Sequence, residues 1–244
     1  MVSVEKLCRE TEAFFKANAD EALVQKYSKY FKEGYDAYGV SQGDMDIKKK
    51  EILRNPEFSI EFLLRVAPEL IKSEKYEETS FVLILLNGLN KKFNKNVFAE
   101  IERWYKLGIT NWAHADLIGM IILPQFLLNR IIVYTDLESW LTAKNKFQRR
   151  TVPISFIKLL STVNDFTGLF RFLESLMKDP EKEVSQGMGW FLREAWKMKP
   201  RETEEFLMKW KDECPKQIIQ YATENMDPDK KKIFKKTELA EKKK

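Results

Sequence analysis

Apolar side chains recur every three or four positions along most of this chain, the spacing of one face of a helix. Residues 3–17 place Leu7, Phe14 and Phe15 near one face, and residues 21–33 carry Leu23, Tyr27, Tyr30 and Phe31 in the same rhythm. A glycine-containing loop, Tyr38-Gly39-Val40-Ser41-Gln42-Gly43, then precedes a helix that Asp44 or Asp46 is placed to cap. Further helices are predicted at 58–72, 76–92, 95–107, 112–127, 135–144, 147–161, 166–178, 181–198, 201–212, 215–226 and 228–240. Pro56, Gly108, Pro180, Pro200, Pro215 and Pro228 mark the breaks. Pro124 is expected to end or kink its helix, and Pro153 to sit in a first turn, where its missing N–H is harmless. No strand-like alternation persists beyond a few residues, so the prediction is an all-α chain.

Helix pairs recur at roughly 35–40 residues with little self-similarity, as in degenerate HEAT-like repeats. That pattern predicts a solenoid of stacked antiparallel helix pairs, with a compact helical bundle as the alternative. Residues 1–227 read as one such domain and 228–244 as a lysine-rich C-terminal helix or tail.

Charge changes the picture only locally. The net charge is +5. Residues 228–244 hold eight lysines against three acids, an excess equal to that of the whole chain, so 1–227 balance to zero. Any attraction for a polyanion must come from uneven distribution. The segment Leu141–Thr151 is such a place: Lys144, Lys146, Arg149 and Arg150 fall in it without an acid. Two distant cysteines, Cys8 and Cys214, exclude a disulfide framework and a Cys-rich zinc site, and point to a cytoplasmic protein. The N-terminal residues do not read as a signal peptide. The apolar stretch from Leu117 to Tyr134 is interrupted by Pro124, Gln125, Asn129 and Arg130, so no membrane role is expected.

The chain lacks a glycine-rich phosphate loop, a zinc-protease helix motif, a nucleophile elbow and a dinucleotide fingerprint. Its single histidine, His114, excludes a His-based metal cluster and reads as a surface or packing residue. Chemistry therefore falls to carboxylates, Arg, Lys or aromatics. Three segments stand out. In Ile109–Gly119, Thr110 or Asn111 can cap a helix on which Trp112 and Asp116, four residues apart, share a face. Lys146–Ser155 sets Arg149 and Arg150 near a helix start. In Gln186–Glu194, Gly187 and Gly189 clear space beside Trp190 for helix packing or for a ligand.

These segments, with Tyr30–Val40, resemble the AlkD-like DNA alkylation repair glycosylases over nearly the whole chain. The family pattern pairs a Trp with an Asp four residues on, then an Arg at a downstream helix start, then a Trp in a GW-x-LRE stretch. Trp112, Asp116, Arg150 and Trp190 occupy those places, with Arg149 competing for the Arg position. Tyr30, or alternatively Tyr27, matches the N-terminal aromatic, and Gln186 replaces a lysine common in the family. The resemblance implies a HEAT-like solenoid with a concave DNA-binding face. The implied enzyme is a monofunctional glycosylase releasing N3- and N7-alkylated purines from duplex DNA in base excision repair. It implies Asp116, Trp112 and Trp190 as catalytic residues, and Arg150 or Arg149, Tyr30, Lys144 and Lys146 as DNA contacts. No metal, nucleotide or other cofactor is implied, and a monomer is expected. Taken singly, each residue also fits a plain role: a packing Trp, a solvated Asp, a wet basic face. A non-catalytic DNA-binding relative and a protein-interaction solenoid are the competing readings.

Overall fold

The computed structural model describes residues 3–236 and is all-helical, with no strand among them. The chain divides into two compact units, residues 1–117 and residues 118–244. Each is described separately.

The first unit holds α1 (Val4–Ala17), α2 (Glu21–Ser28), α3 (Gln42–Arg54), α4 (Ile60–Lys72), α5 (Tyr76–Gly88), α6 (Lys95–Leu107) and α7 (Trp112–Leu117). Side-chain oxygens accept from first-turn amides at most starts: Ser3 for α1, Asp20 for α2, Ser59 for α4 and Asn94 for α6. The cap of α3 is Ser41, whose Oγ accepts from Asp44 N at 3.2 Å, and not Asp44 or Asp46 as expected. Only the short segment Ser73–Lys75 joins α4 to α5, so the two run antiparallel, and their facing sides form the centre of the core. Leu63, Val66 and Ile71 of α4 and Phe81, Val82 and Leu86 of α5 are fully buried. Phe15 of α1 closes on Phe81 edge to face, with centroids 5.4 Å apart. Losing a ring of that kind costs about 3–5 kcal/mol.

The predicted helix 21–33 stops early, at Ser28. The chain beyond it takes its hydrogen bonds from elsewhere. Glu77, buried at the start of α5, accepts from the backbone amides of Tyr38 (2.9 Å), Gly39 (2.8 Å) and Val40 (3.2 Å). Gly39 has φ +80°, and a Cβ there would meet Asp20 O at 2.1 Å, so only glycine fits.

The second unit begins with a π-helical turn, Ile118–Ile122. It continues with α8 (Leu123–Leu128), α9 (Glu138–Leu141), α10 (Lys146–Ser155), α11 (Phe166–Leu173), α12 (Lys182–Met198), α13 (Pro200–Trp210), α14 (Lys216–Ala222) and α15 (Pro228–Ile233). The helix predicted over 112–127 is thus interrupted. Pro124 falls in the first turn of α8, where its missing N–H is tolerated, and the wider π turn precedes it. Pro153 lies in the last turns of α10, not the first turn expected for it.

Helix α12 is central to this unit, with α10 on one side and α14 on another. Two glycines permit the close approach. A Cβ on Gly187 would come within 3.0 Å of Arg150 Cγ, and one on Gly189 within 2.6 Å of Tyr221 Cβ. Of the two uses expected for these glycines, the structure shows helix packing. The contacts divide the chain at 117/118, and the described part of the lysine-rich segment packs within the second unit: Phe234 is buried and Lys230 pairs with Glu204. The remainder of the helix predicted to 240, with Lys242, Lys243 and Lys244, lies outside the described residues.

Candidate functional site

In the first unit, Asn111 caps α7, its Oδ1 accepting from His114 N at 2.9 Å. His114 is buried. Its Nε2 lies 3.1 Å from the Tyr76 carbonyl and 3.0 Å from Ser80 Oγ, and its Nδ1 lies 2.9 Å from Asn111 Nδ2. A carbonyl can only accept and an amide nitrogen only donate, so Nε2 carries the proton and Nδ1 accepts. The ring is neutral, and burial pushes its pKa down to about 4. Tyr76 stacks on it at 4.9 Å. Of the surface and packing roles expected for His114 the structure shows packing, and the ring ties α7 to α5.

Trp112, at the start of α7, is held from two directions. Its Nε1 donates to Tyr30 O at 3.2 Å, and its ring stacks on Phe31 with centroids 5.4 Å apart and an interplanar angle of 16°. Phe31 in turn stacks on Tyr35 at 4.6 Å. Tyr76 meets both Phe31 and Tyr35. Burial, with Glu77 nearby, raises the Tyr35 pKa, so its phenol stays protonated. Despite these contacts Trp112 remains 37% exposed. Asp116, half-buried, follows one turn later on the same face. The structure therefore brings Tyr30, Trp112 and Asp116 to one neighbourhood of the first unit. Tyr30 lies in the turn after α2, not on the helix itself. Tyr27 and Tyr30 are both exposed, each with a lysine ammonium over its ring. Trp112 donates to the backbone carbonyl of Tyr30, not to its phenol.

The aromatic support beneath Trp112 was not among the residues anticipated. Phe31 and Tyr35 lie in the sequence beside Tyr30, but their stacking forms in the irregular segment after α2.

In the second unit, Asn145 caps α10, accepting from Phe147 N and Gln148 N. Arg149 is locked into the protein. Its Nε and Nη2 donate to the two carboxylate oxygens of the buried Asp179, at 2.5 and 3.1 Å. Its Nη1 donates to the carbonyls of Ala143 (2.7 Å) and Lys144 (3.3 Å). This guanidinium is not presented to a ligand. Arg150 is largely buried against α12, with Nη1 donating to Glu183 O at 2.7 Å. Lys146 lies 3.3 Å from a Glu183 oxygen and 3.8 Å from a Glu181 oxygen, and Lys144 is exposed. The acid-free run 141–151 is thus compensated in space by Asp179, Glu181 and Glu183. Trp190, on α12, is half-buried.

A pinned but exposed indole one turn from a carboxylate offers a π face and an anion on the same side of a helix. Both attract positive charge. Among solved structures, a predicted DNA alkylation repair enzyme from Enterococcus faecalis is similar over 86% of this chain and 98% of its own, with TM-score 0.71 and 16% identity. The smu.31 protein of Streptococcus mutans is similar over 84% of this chain and 98% of its own, with TM-score 0.56 and 18% identity. At such identities the likeness concerns the fold, and it meets the all-helical expectation. No curated protein matches the sequence. Residues 11–226 match the family of DNA alkylation repair enzymes, and this chain belongs to that family.

Proposed function

We propose that the protein is a monofunctional DNA glycosylase that hydrolyses the N-glycosidic bond of N3- and N7-alkylated purines in duplex DNA, in base excision repair. The observation that carries this reading is Trp112: a large aromatic side chain fixed by a hydrogen bond and a stack, yet exposed, one turn before Asp116. A fixed exposed aromatic beside a carboxylate suits a cationic partner better than a protein core.

An alkylated purine already carries positive charge. Its C1′–N bond breaks with the electron pair leaving on the base, which departs neutral. Positive charge gathers on the sugar, as in glycoside hydrolysis generally. The Asp116 carboxylate stabilises that charge and orients the water that attacks C1′, and the water gives up its proton. Trp112 offers the sugar its π face. Tyr30 and Lys144, both exposed, are DNA contacts, and Arg150, largely buried, holds α10 against α12. Arg149 and Lys146, engaged by carboxylates, support the loop instead. In this reading the chain works as a monomeric helical solenoid over 1–227, inside the cell with access to the chromosome. It acts on duplex DNA and needs only water as co-reactant.

The test is to incubate the native protein with methylated duplex DNA and separate the free bases by chromatography. Release of 7-methylguanine and 3-methyladenine, leaving abasic sites, is the expected result. Tight DNA binding without released base would replace the glycosylase with a non-catalytic binder, and neither binding nor release would favour a protein-interaction solenoid.

A further inference from the structure

The described part of the lysine-rich segment is tied to α13 and to the residues that follow α13 and α14. Asp227 caps α15 by accepting from Asp229 N (3.1 Å) and Lys230 N (2.9 Å), Phe234 is 2% exposed, and Lys211 Nζ donates to the carbonyl of Lys235 at 3.1 Å. Between this segment and α14 runs an open groove of about 820 Å³. Ile219 and Phe234 contribute apolar lining, and Lys216, Lys231, Lys235 and Lys236 surround it.

These four lysines differ from their neighbours. Lys178, Lys209, Lys230 and Lys232 each pair with a carboxylate. Lys231 and Lys236 donate instead to the neutral backbone carbonyls of Glu224 and Asp212, at 2.9 and 3.2 Å. Among the described residues, none of the four groove lysines lies within ion-pair distance of a carboxylate. The Glu224 side chain, at the edge of an adjoining hollow, is paired with Arg193. Four ammonium groups around one groove, none paired with a carboxylate among the described residues, three of them on or just after a capped helix with a buried ring, make an anion site. Its openness and the spread of its charges suit a linear polyanion better than a single small anion.

We propose that this groove is a second contact for the DNA phosphate backbone, independent of the lesion and of base sequence. It rests on the reading of the protein as a DNA-acting enzyme. Lysines supply point charges without base-edge readout, so the groove adds retention on undamaged DNA and leaves excision chemistry untouched.

The test compares the full-length native chain with Lys216→Gln/Lys235→Gln, two exposed groove lysines. A control, Lys178→Gln/Lys209→Gln, removes the same charge from paired lysines. Affinity for an undamaged duplex is measured across a salt series, together with single-turnover excision at saturating protein. Each lost phosphate contact flattens the logarithmic salt slope by about 0.9, so the groove variant is expected to lose nearly two and to bind about tenfold more weakly at low salt. Its excision rate and the slope of the control stay unchanged. An unaltered slope in the groove variant while the native protein excises normally overturns the groove alone. An equal flattening in the control also overturns it, by reducing the effect to net charge. A native protein that neither binds nor excises removes the proposed function, and this inference with it.

Discussion

As sequence, Ile109–Leu117 and Leu141–Thr151 look equally promising, and the structure treats them in opposite ways. The first places a Trp where its ring is fixed and still exposed, with Asp116 one turn away. The second gathers four cationic side chains, then compensates Arg149 and Lys146 with carboxylates from residues 179–183. The aromatic–carboxylate pair depends on a spacing within one helix, which is local and survives folding. A basic face depends on what the fold sets opposite it. Asp179 is thirty positions from Arg149, and nothing in the segment 141–151 announces it.

The comparison can be broken by exchanging its members. The largest expected effect is on stability. Arg149→Ala leaves the buried Asp179 without its cation and is expected to lower unfolding free energy by about 3 kcal/mol, read by urea denaturation. Arg150→Ala, which removes a largely buried side chain packed on α12, is also expected to destabilise, by about 1–3 kcal/mol. A stable Arg149→Ala that fails to bind DNA would make Arg149 a DNA contact.

His114 supplies a second handle, on the helix that carries Trp112. Its folded pKa, about 4, lies below the ordinary 6.5. As pH falls below 6.5 the unfolded chain takes up this proton while the folded one does not, so stability present above that pH is lost on the way down to about 4. The loss from this group is about 3 kcal/mol. Denaturation across that window should show a shallower pH dependence in His114→Gln than in the native chain. Identical slopes would mean that the imidazole is not held neutral.

Smaller effects sharpen the picture. Trp112→Leu keeps an apolar side chain but removes the π face, and excision should slow about tenfold with melting little changed. A variant that melts much lower while excising normally would return Trp112 to a packing role. Lys144→Gln removes one exposed cation. Lesion-DNA affinity should fall less than about threefold and the salt slope by about 0.9, whereas a larger loss would make the 141–151 run a basic patch after all.

Local patterns of the fold were legible in the same sense. The helix predicted at 95–107 matches α6 residue for residue, because Asn94 caps it and Gly108 ends it. The loop at 38–41 was legible through its glycine, but the early end of the helix predicted to 33 was not, nor was the Glu77 carboxylate, almost forty residues on, that takes the loop's amides. The break within 112–127 was partly visible through Pro124, but the π turn before it was not. In the candidate site, Trp112 and Asp116 could be picked by type and spacing. The Phe31–Tyr35 stack beneath Trp112 could not, because it forms only once the loop is folded.

The central claim is that Asp116 acts on the sugar cation, and one measurement meets it directly. Single-turnover release of 7-methylguanine from a duplex carrying one such lesion would be compared between the native protein and Asp116→Asn, with affinity for the same duplex measured alongside. The account predicts a fall in rate of about 10²–10³-fold, with binding held within a few-fold. A variant that releases the base at the native rate would contradict it, and would move the chemistry away from α7.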